Sequence, residues 1–514
     1  MMSVSRESEL NEQLRQARED LAALRKENEL LRQKLDALAR RIFGKSSEKL
    51  DAAQLELLLD GMEEIAAVNA TAAPQPQSPQ ARARQERERA PRLPEHLPIK
   101  EIIIEPQEVK AAPEQWRCIG EEVTEQLDYI PGSFRRLRLI RRKYVHRQER
   151  HLPPVIAPLS PMLQERCLAA PSLLAHAFIC RYCDHLPWYR IEAIYAALGV
   201  ALSRQNLCNW SGMAAGACGL VVKEIGREVF AGGYVQIDET PIDYLVPGHG
   251  QTKTGYLWVV NNPVSGRVFF VWHTSRAAAC LESIVPRDFA GVIQCDGYSA
   301  YDAFAGGTER TGQIQLAGCW AHVRRGFFEA REHTPDAAWV LTQIQALYHI
   351  EEQLREARAG PEDRKSTRQI QSRPLIEAIH QQLQWLGRSH KHLPQSLMGQ
   401  AMRYALGQWE SLLLFLEDGR LEIDNNLCEN EIRPSAIGKK NWLFIGDAKA
   451  GDRAAVFYTL IGNCRRLQID AQAYLEDLFT RLPAMTNHQI PEITPTAWAK
   501  NRTQQIQPVP IMQP

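Results

Sequence analysis

Apolar residues near the start of the chain recur at alternating spacings of three and four, which is the pattern of a coiled coil. Over residues 8–43 they fill the inner positions of five consecutive heptads, with one polar exception. The inner positions are Leu10, Leu14, Ala17, Leu21, Leu24, Asn28, Leu31, Leu35, Leu38 and Ile42. A single inner Asn fixes the register of two-stranded coils. The pattern therefore predicts a parallel coiled coil over residues 1–50 that makes the chain a homodimer or a higher oligomer; the alternative is one amphipathic helix packed on its own chain.

The apolar pattern then stops. Residues 69–95 are rich in Ala, Pro, Gln and Arg and carry almost no large apolar side chains. Such a segment cannot bury enough surface to order itself. We expect a flexible linker over residues 51–95.

Basic residues dominate the next ordered stretch. Residues 133–150 hold eight Arg or Lys and one Glu, and a basic β-ribbon suits a phosphate backbone. We expect a basic, β-rich DNA-binding segment over residues 96–166, although a solvated sheet face would look the same. The candidate DNA-binding residues are Arg135, Arg136, Arg138, Arg141, Arg142 and Lys143.

Helical spacing returns over residues 167–228, where the pattern is typical of a helix-turn-helix. One helix is expected to end near Gly199, since glycine commonly follows the last helical turn. Ser203 is expected to cap the next helix. Side chains that can read base edges and phosphates follow this cap. They are Arg204, Gln205, Asn206 and Asn209. An ordinary corner between two helices is the alternative.

Apolar strands and helices alternate from residue 229 onward. Three strands with short connections come first, followed by a helix, a fourth strand, a helix and a fifth strand. This is the element order of the ribonuclease-H-like α/β fold. Residues 331–419 are mostly amphipathic and predict a long helical insertion. We therefore expect a multidomain α/β protein, with a catalytic domain split between residues 229–330 and 420–475 and a loose tail over 476–514.

Composition narrows the class of protein. The chain has 61 basic and 61 acidic residues, so any contact with nucleic acid must come from local basic patches. Its eleven cysteines show no disulfide framework, which is typical of reduced thiols in the cytosol. The sequence has no apolar run of about 18 residues, so no membrane span is expected. The N-terminus lacks an apolar signal region. We expect a cytoplasmic protein without a membrane partner.

Three acids lie where apolar strands or a helix are expected to end. Asp238 and Asp296 close the strands VQID and IQCD, and Glu429 lies in DNNLCENEIRP. Acids that converge from separate elements repel one another and are costly to bury unless they bind a cation. Hard oxygen ligands select Mg²⁺ or Mn²⁺. Two such ions can activate a water and stabilise the leaving oxygen in phosphodiester cleavage.

Several motifs, in their order and spacing, resemble those of insertion-sequence transposases of the IS-sixty-six family, a branch of the DDE transposases. The N-terminal motifs are RRIFGKSSEKL at 40–50, GEEVTEQLDYIPGSFRRLR at 120–138 and YCDHLPWYR at 182–190. The catalytic motifs are IDETPI at 237–242, CDGYSAYD at 295–302, GCWAHVRRGFFEA at 318–330, FLEDGRLEIDNNLCENEIRP at 415–434 and GKKNWLFIG at 438–446. The resemblance extends from the N-terminal heptads to about residue 475.

The resemblance implies a ribonuclease-H-like catalytic domain whose metal-binding triad is Asp238, Asp296 and Glu429. The implied reaction nicks DNA at the ends of a mobile element and joins the freed 3′ hydroxyl to target DNA. The N-terminal half would bind the terminal inverted repeats. The implied cofactor is Mg²⁺ or Mn²⁺. Small accessory proteins encoded by the same element are further partners of this family.

Other residues near the triad have alternative roles. Glu239, Asp302, Asp424 and Glu431 are each possible ligands by residue type, but the family motif favours Glu429. Asp424 is expected to be a helix N-cap, and Asn425 and Asn426 are expected to orient the acid or to contact a phosphate. Arg433 is a candidate phosphate clamp, with a structural salt bridge as the alternative.

The GCWAH motif supplies another group of candidates. Cys319 and His322 form a C-x2-H pair that similar transposases carry after the second aspartate, and two residues are too few for a zinc site. The pair is a candidate for positioning DNA or tuning the site, with His322 as a candidate DNA-binding residue; a core cysteine and a buried, hydrogen-bonded histidine are the alternative. Arg324 and Arg325 follow and are candidates for contact with the DNA backbone.

The chain departs from the family in its cysteines. Relatives carry a cysteine-rich zinc segment before GEEVTEQLDY and a further pair near 145–150, where this chain has Cys118, His146 and His151. Three residues are too few for a structural zinc site, so no zinc is expected. Cys180 and Cys183 form a C-x2-C pair, but helical periodicity makes them core residues. The departure motivates a rival hypothesis, a catalytically silent DNA-binding dimer; a cellular nuclease or resolvase with the same fold is the third.

Overall fold

The computed structural model describes residues 132–144, 155–156, 158, 160–165, 167–246, 248, 250–307 and 311–505. The predicted coiled coil, the predicted linker and the possible zinc ligands Cys118, His146 and His151 lie outside these residues. The described residues fall in two compact units, with 132–136 in one and those from Leu137 onward in the other. Every helix and strand given below belongs to the second unit.

The basic segment differs from its prediction. Residues 132–142 form no strand, and only β1 (Lys143–Tyr144) pairs, antiparallel, with β2 (Val155–Ile156). Leu137 and Leu139 are as exposed as the arginines beside them. The expected β-rich structure is therefore wrong for residues 132–142, and within the described part of this segment it is limited to the two short strands.

Among the described residues, four helices precede the large sheet. They are α1 (Pro171–Tyr182), α2 (Trp188–Ala197), α3 (Arg204–Ala217) and α4 (Gly219–Phe230). Gly199 takes φ +83° after α2, a conformation that favours glycine. Ser203 caps α3, because its side-chain oxygen accepts the backbone N–H of Asn206. Both features of the predicted helix-turn-helix boundary are confirmed.

The sheet has five strands in the order β5-β4-β3-β6-β7. They are β3 (Tyr234–Leu245), β4 (Thr252–Asn262), β5 (Arg267–His273), β6 (Gly291–Gln294) and β7 (Ile314–Ala317). The first three pair antiparallel, whereas β6 and β7 run parallel to β3. Helices α5 (Ala278–Ile284), α6 (Ser299–Ala305) and α7 (Trp320–Ala330) connect or follow the last strands. The result is the expected mixed α/β architecture.

Helices occupy most of the region predicted to be an insertion. They are α8 (Pro335–Glu356), α9 (Pro361–Thr367), a π-helical turn (Arg368–Ser372), α10 (Arg373–Arg388), α11 (Leu397–Gly407) and α12 (Trp409–Glu417). Their buried apolar residues form one cluster with Tyr234, Val292 and Ala317 of the sheet. Because this core is shared, the insertion packs as part of the same body as strands β3, β6 and β7.

The chain then returns to the sheet through α13 (Asn426–Trp442) and α14 (Ala448–Arg466). Helix α14 lies along the outer edge of β5. Asn463 accepts the N–H of Val268 and donates to its carbonyl, and Thr459 accepts the N–H of Phe270. Side chains of a helix thereby satisfy backbone groups that an edge strand would otherwise leave open.

The C-terminal region is ordered further than predicted. Helix α15 (Ala471–Arg481), 3₁₀ turns at Leu482–Ala484 and Asn487–Ile493, and α16 (Pro495–Gln505) follow one another. Ile493 is fully buried, and Trp498 donates to Asp477 at 2.9 Å. A loose tail from residue 476 is therefore wrong up to Gln505. Short 3₁₀ turns carry no helical apolar period, which is why the sequence concealed them. No described helix is long and apolar enough to cross a membrane.

Candidate active site

Two glutamines align the first two acids of the predicted triad. Gln236 on β3 pairs with Gln294 on β6 in the parallel register, and the Gln236 amide donates to the Gln294 side chain at 2.8 Å. Side chains two residues apart on a strand share a face. Asp238 and Asp296 each follow their glutamine by two residues, so the register brings them to the same face at the carboxyl end of β6.

Asp238 lies within a strand rather than at its end. The sequence predicted that the first strand stops at this acid, but β3 continues to Leu245, paired with β4 throughout. The Asp238 carboxylate accepts the backbone N–H of Glu239 at 2.8 Å. Burial raises the pKa of Asp238 to about 8, and the negative charges of Glu239, Asp296 and Glu429 also contribute. A carboxyl group held at this cost is a candidate cation ligand.

Glu429 lies in the first turn of α13, where the helix dipole favours a negative charge. The start of this helix is fixed to the sheet. Asn425 donates to the carbonyl of Ile237 at 3.4 Å, and the Cys428 thiol donates to the carbonyl of Gln236 at 3.6 Å. The residues before Asp238 and around Glu429 are thus hydrogen-bonded to each other, although the two bonds join residues 188 and 192 positions apart in the chain.

Basic side chains of α7 flank Glu429. His322 Nε2 lies 3.6 Å from Glu429 Oε1, and Arg325 Nη2 lies 3.6 Å from Oε2. Burial lowers the pKa of His322, and the charge of Arg325 lowers it further, whereas Glu429 raises it. The imidazole is therefore neutral at pH 7. Glu429 Oε1 is buried and has no hydrogen-bond partner among the described residues.

A buried amide network holds the segment that leads into α13. Besides its bond to Gln294, the Gln236 amide donates to the carbonyl of Asp424 at 2.9 Å, and Gln294 donates to that of Glu422 at 2.8 Å. Asn261 on β4 donates to the Gln236 side-chain oxygen. Sequence reasoning missed these amides. A signal was present in the sequence, since a glutamine lies two residues before Asp238 and another lies two residues before Asp296.

Three of the four alternative ligands have other partners. Glu431 binds Arg465 and Arg466. Asp424 accepts the hydroxyl of Tyr348 at 2.7 Å and the backbone N–H of Asn426.

The carboxylate of Asp424 therefore caps α13, but the N-cap residue itself is Asn425, one position later than predicted. Asn426 donates its side-chain amide to Asp424 and is exposed, so it does not orient Glu429 directly.

Glu239 is the third acid with other partners, and Asp302 is the remaining alternative. Both Glu239 oxygens are occupied, one by Arg276 and the other by the hydroxyl of Tyr301 at 2.9 Å. Asp302 is exposed on α6.

The surroundings of Asp296 are more open to solvent than those of Glu239. It accepts the N–H of Tyr298 and lies 3.6 Å from Arg276, while Tyr404 donates to its backbone carbonyl.

A family model described as "Transposase IS66 family" matches residues 166–453, which is more than half of the chain. The chain belongs to the IS66 transposase family. A second model, "Transposase C of IS166 homeodomain", matches residues 30–102, which lie outside the described residues. The resemblance of the motifs is thereby confirmed, and the matched region contains all three acids and both glutamines.

The similar proteins include several from Sinorhizobium fredii. Uncharacterized protein y4qI is 34% identical over 404 residues, covering 75% of this chain and 73% of its own. Uncharacterized protein y4jD is 30% identical, covering 80% of this chain and 83% of its own. Uncharacterized protein y4hP is 29% identical over 508 residues, covering 91% and 88%. These relatives match the IS66 chain over most of their length.

The predicted DNA-binding residues of this IS66 chain lie in three places. The basic segment is exposed at Arg135, Arg136, Arg138, Arg141, Arg142 and Lys143. On α3, Arg204, Gln205, Asn206 and Asn209 are all exposed, and Gln205 donates to Asn209 at 2.9 Å. Near the acids, His322 is half-buried, whereas Arg324 and Arg433 are exposed. Arg433 follows Glu429 by one helical turn on the same face of α13.

The cysteines do not form a metal centre in the described part of the chain. Cys319 is buried and accepts the N–H of Asn425, so it packs at the start of α13. Cys180 is buried and Cys183 is half-buried on or beside α1. Within the described ranges, no three His, Cys, Asp or Glu side chains are arranged to hold a metal ion as they stand.

Proposed function

We propose that this chain is an active DDE transposase that nicks DNA at the ends of an insertion sequence and joins the 3′ hydroxyl to target DNA. The observation that carries the proposal is the hydrogen-bonded Gln236–Gln294 pair. It aligns β3, which carries Asp238, with the end of β6, two residues before Asp296, and the start of the helix that bears Glu429 is hydrogen-bonded to β3. The strand order and directions, three antiparallel strands followed by two parallel ones, support a ribonuclease-H-like fold for the catalytic domain.

The donor set fits a hard divalent cation. Asp238, Asp296 and Glu429 offer only oxygen, which Mg²⁺ and Mn²⁺ prefer. Glu429 Oε1 is buried and has no hydrogen-bond partner among the described residues, and burial, together with the charges of the neighbouring acids, raises the pKa of Asp238. We propose that these three side chains turn toward one another when the ion binds. When bound, the ion would activate a water or hydroxyl and stabilise the leaving oxygen.

The residues around the acids have distinct roles in this proposal. Arg325 lies beside Glu429 and is more than half exposed, so it can meet a DNA phosphate without leaving the site. Arg433 offers a second guanidinium, on the face of α13 that carries Glu429. His322 is neutral and partly buried, which suits a group that limits water around Glu429.

Recognition of the element ends is assigned to the N-terminal half and α3. The homeodomain-like match over residues 30–102 supports DNA contact by that region. The exposed polar face of α3, capped by Ser203, supports entry into the major groove.

Pairing of two copies through the heptads would hold two ends together. Sedimentation of a chain with Leu24→Asp and Leu31→Asp tests this, since an unchanged oligomer would contradict it.

Replacing Arg204 and Asn209 with alanine should weaken binding to the element end about 10- to 100-fold, because a good base contact contributes about 1–3 kcal/mol. Binding to a scrambled duplex should change much less. A mobility-shift titration of both duplexes measures the ratio. Arg227→Ala on α4 is the matched control, since Arg227 is exposed and pairs with Glu224 in its own helix. Equal losses on both duplexes would remove the role of α3 in sequence recognition.

The function itself is tested with a labelled duplex that carries the element's own end, a plasmid target and Mg²⁺. We expect a nick at the element's 3′ end, then a product joined to the plasmid, and neither product after the metal is removed with EDTA. Nicking without joining would favour a nuclease or resolvase. Binding without nicking would favour the silent DNA-binding dimer or a missing accessory protein.

A further inference from the structure

Arg276 lies between two acids of the site, in the loop between β5 and α5. Its Nε donates to Glu239, and its Nη2 lies 3.6 Å from Asp296 Oδ2. Its guanidinium carbon lies 3.9 Å from the ring centre of Tyr298. The side chain therefore places a fixed positive charge beside Asp296, one of the three proposed metal ligands.

Glu239 fixes this arginine in place. The Glu239 side chain is 1% exposed, and its second oxygen accepts the hydroxyl of Tyr301. A buried carboxylate is energetically costly unless it is paired. If the guanidinium left Glu239, this carboxylate would be buried without its ion pair, so Arg276 is held in place. The contact with Asp296 is different. It is longer than a hydrogen bond, and Asp296 is more open to solvent than Glu239.

We propose that Arg276 is a positioning residue that competes with the divalent ion for Asp296 and so sets how tightly the acids bind metal. The inference rests on the proposed function, because it assumes that Asp296 is a metal ligand. An anchored positive charge beside a ligand carboxylate repels an incoming cation.

Removal of this charge should therefore tighten metal binding. Isothermal titration calorimetry of the full chain with Mn²⁺, without DNA, measures the dissociation constant. We expect Arg276→Gln to lower that constant about tenfold, which corresponds to about 1.4 kcal/mol. Arg276→Lys keeps a charge and should stay near wild type. Arg227→Gln, which removes an exposed guanidinium on α4, should leave the constant unchanged.

A purely structural role predicts the opposite result. If Arg276 only held the loop together, Arg276→Gln would bind Mn²⁺ as weakly as wild type or more weakly, and that result would overturn the proposal. Thermal unfolding of each variant identifies a loss of folding, and the Lys variant keeps the comparison open if the Gln variant unfolds.

An Asp238→Asn arm separates this failure from a failure of the proposed function. If Asp238→Asn leaves the Mn²⁺ heat unchanged, the metal lies elsewhere and both proposals fall. If Asp238→Asn removes the heat while Arg276→Gln fails to tighten binding, only the role of Arg276 is lost.

Discussion

Replacing Glu429 with glutamine is expected to slow nicking of the element end about 1,000-fold or more, with little change in DNA binding. The substitution keeps the size of the side chain and removes one negative charge from the set that would hold the ion. Loss of one positioned electrostatic group in an active site costs about 100- to 1,000-fold, and loss of a metal ligand should cost at least as much. The rate of nicking of a labelled duplex and its binding by mobility shift are the two measurements.

Asp302→Asn is the matched control for this experiment. Asp302 was an alternative ligand by sequence, but it lies exposed on α6. We expect this variant to nick at about the wild-type rate, because surface charges contribute little. If Glu429→Gln nicks normally, or if Asp302→Asn is the inactive variant, the assignment of the triad is wrong. If neither variant nor the wild-type chain nicks while all three bind the end, the silent DNA-binding dimer becomes the better hypothesis.

Replacing Arg368 with methionine is expected to lower the free energy of unfolding by about 3–5 kcal/mol, which is the usual cost of leaving a buried charge unpaired. Arg368 is fully buried. It makes two bonds to Glu351, at 2.7 and 2.8 Å, and donates to the carbonyls of Phe415 and Leu421. These bonds join α8 to the segment that precedes α13. Urea unfolding followed by tryptophan fluorescence measures the change.

A double variant shows whether the loss comes from the unpaired charge. With Glu351→Met added, the buried carboxylate is gone, and apolar pairs often replace buried ion pairs without loss. We expect most of the stability to return. Arg364 also lies 3.3 Å from Glu351 and pairs with Glu422, so part of the network persists in the single variant. A single variant as stable as wild type would show that Arg364 alone satisfies Glu351.

The sequence predicted the parts of the fold that depend on local pattern. Apolar strands, the helix after β5 and the capping of α3 by Ser203 follow from spacing and residue type, and the structure has them. Asp238 and Asp296 were prominent because acids are rare at the predicted ends of apolar strands, and Glu429 because acids and amides crowd the segment around it. Their role stays a prediction, as does the metal.

Features that depend on distant partners were harder to predict. The basic stretch reads as a strand by composition, but residues 132–142 form no strand in the described part of the chain. Arg276 lies in a loop without periodicity, so nothing local indicated that it reaches Glu239 and Asp296. The Gln-x-Asp repeat was readable, but its meaning required the parallel register of β3 and β6.

The contacts of Asn463 and Thr459 with β5 limit how this protein can associate with itself. A second chain could extend the sheet by strand addition only where backbone groups are open. At the β5 edge, side chains of α14 already occupy the amide groups of Val268 and Phe270. Because these amide groups are covered, the β5 edge is a poor template for strands of other chains, which protects the protein against amyloid-like aggregation. A second copy therefore cannot add a strand at the amide groups of Val268 and Phe270 without displacing α14.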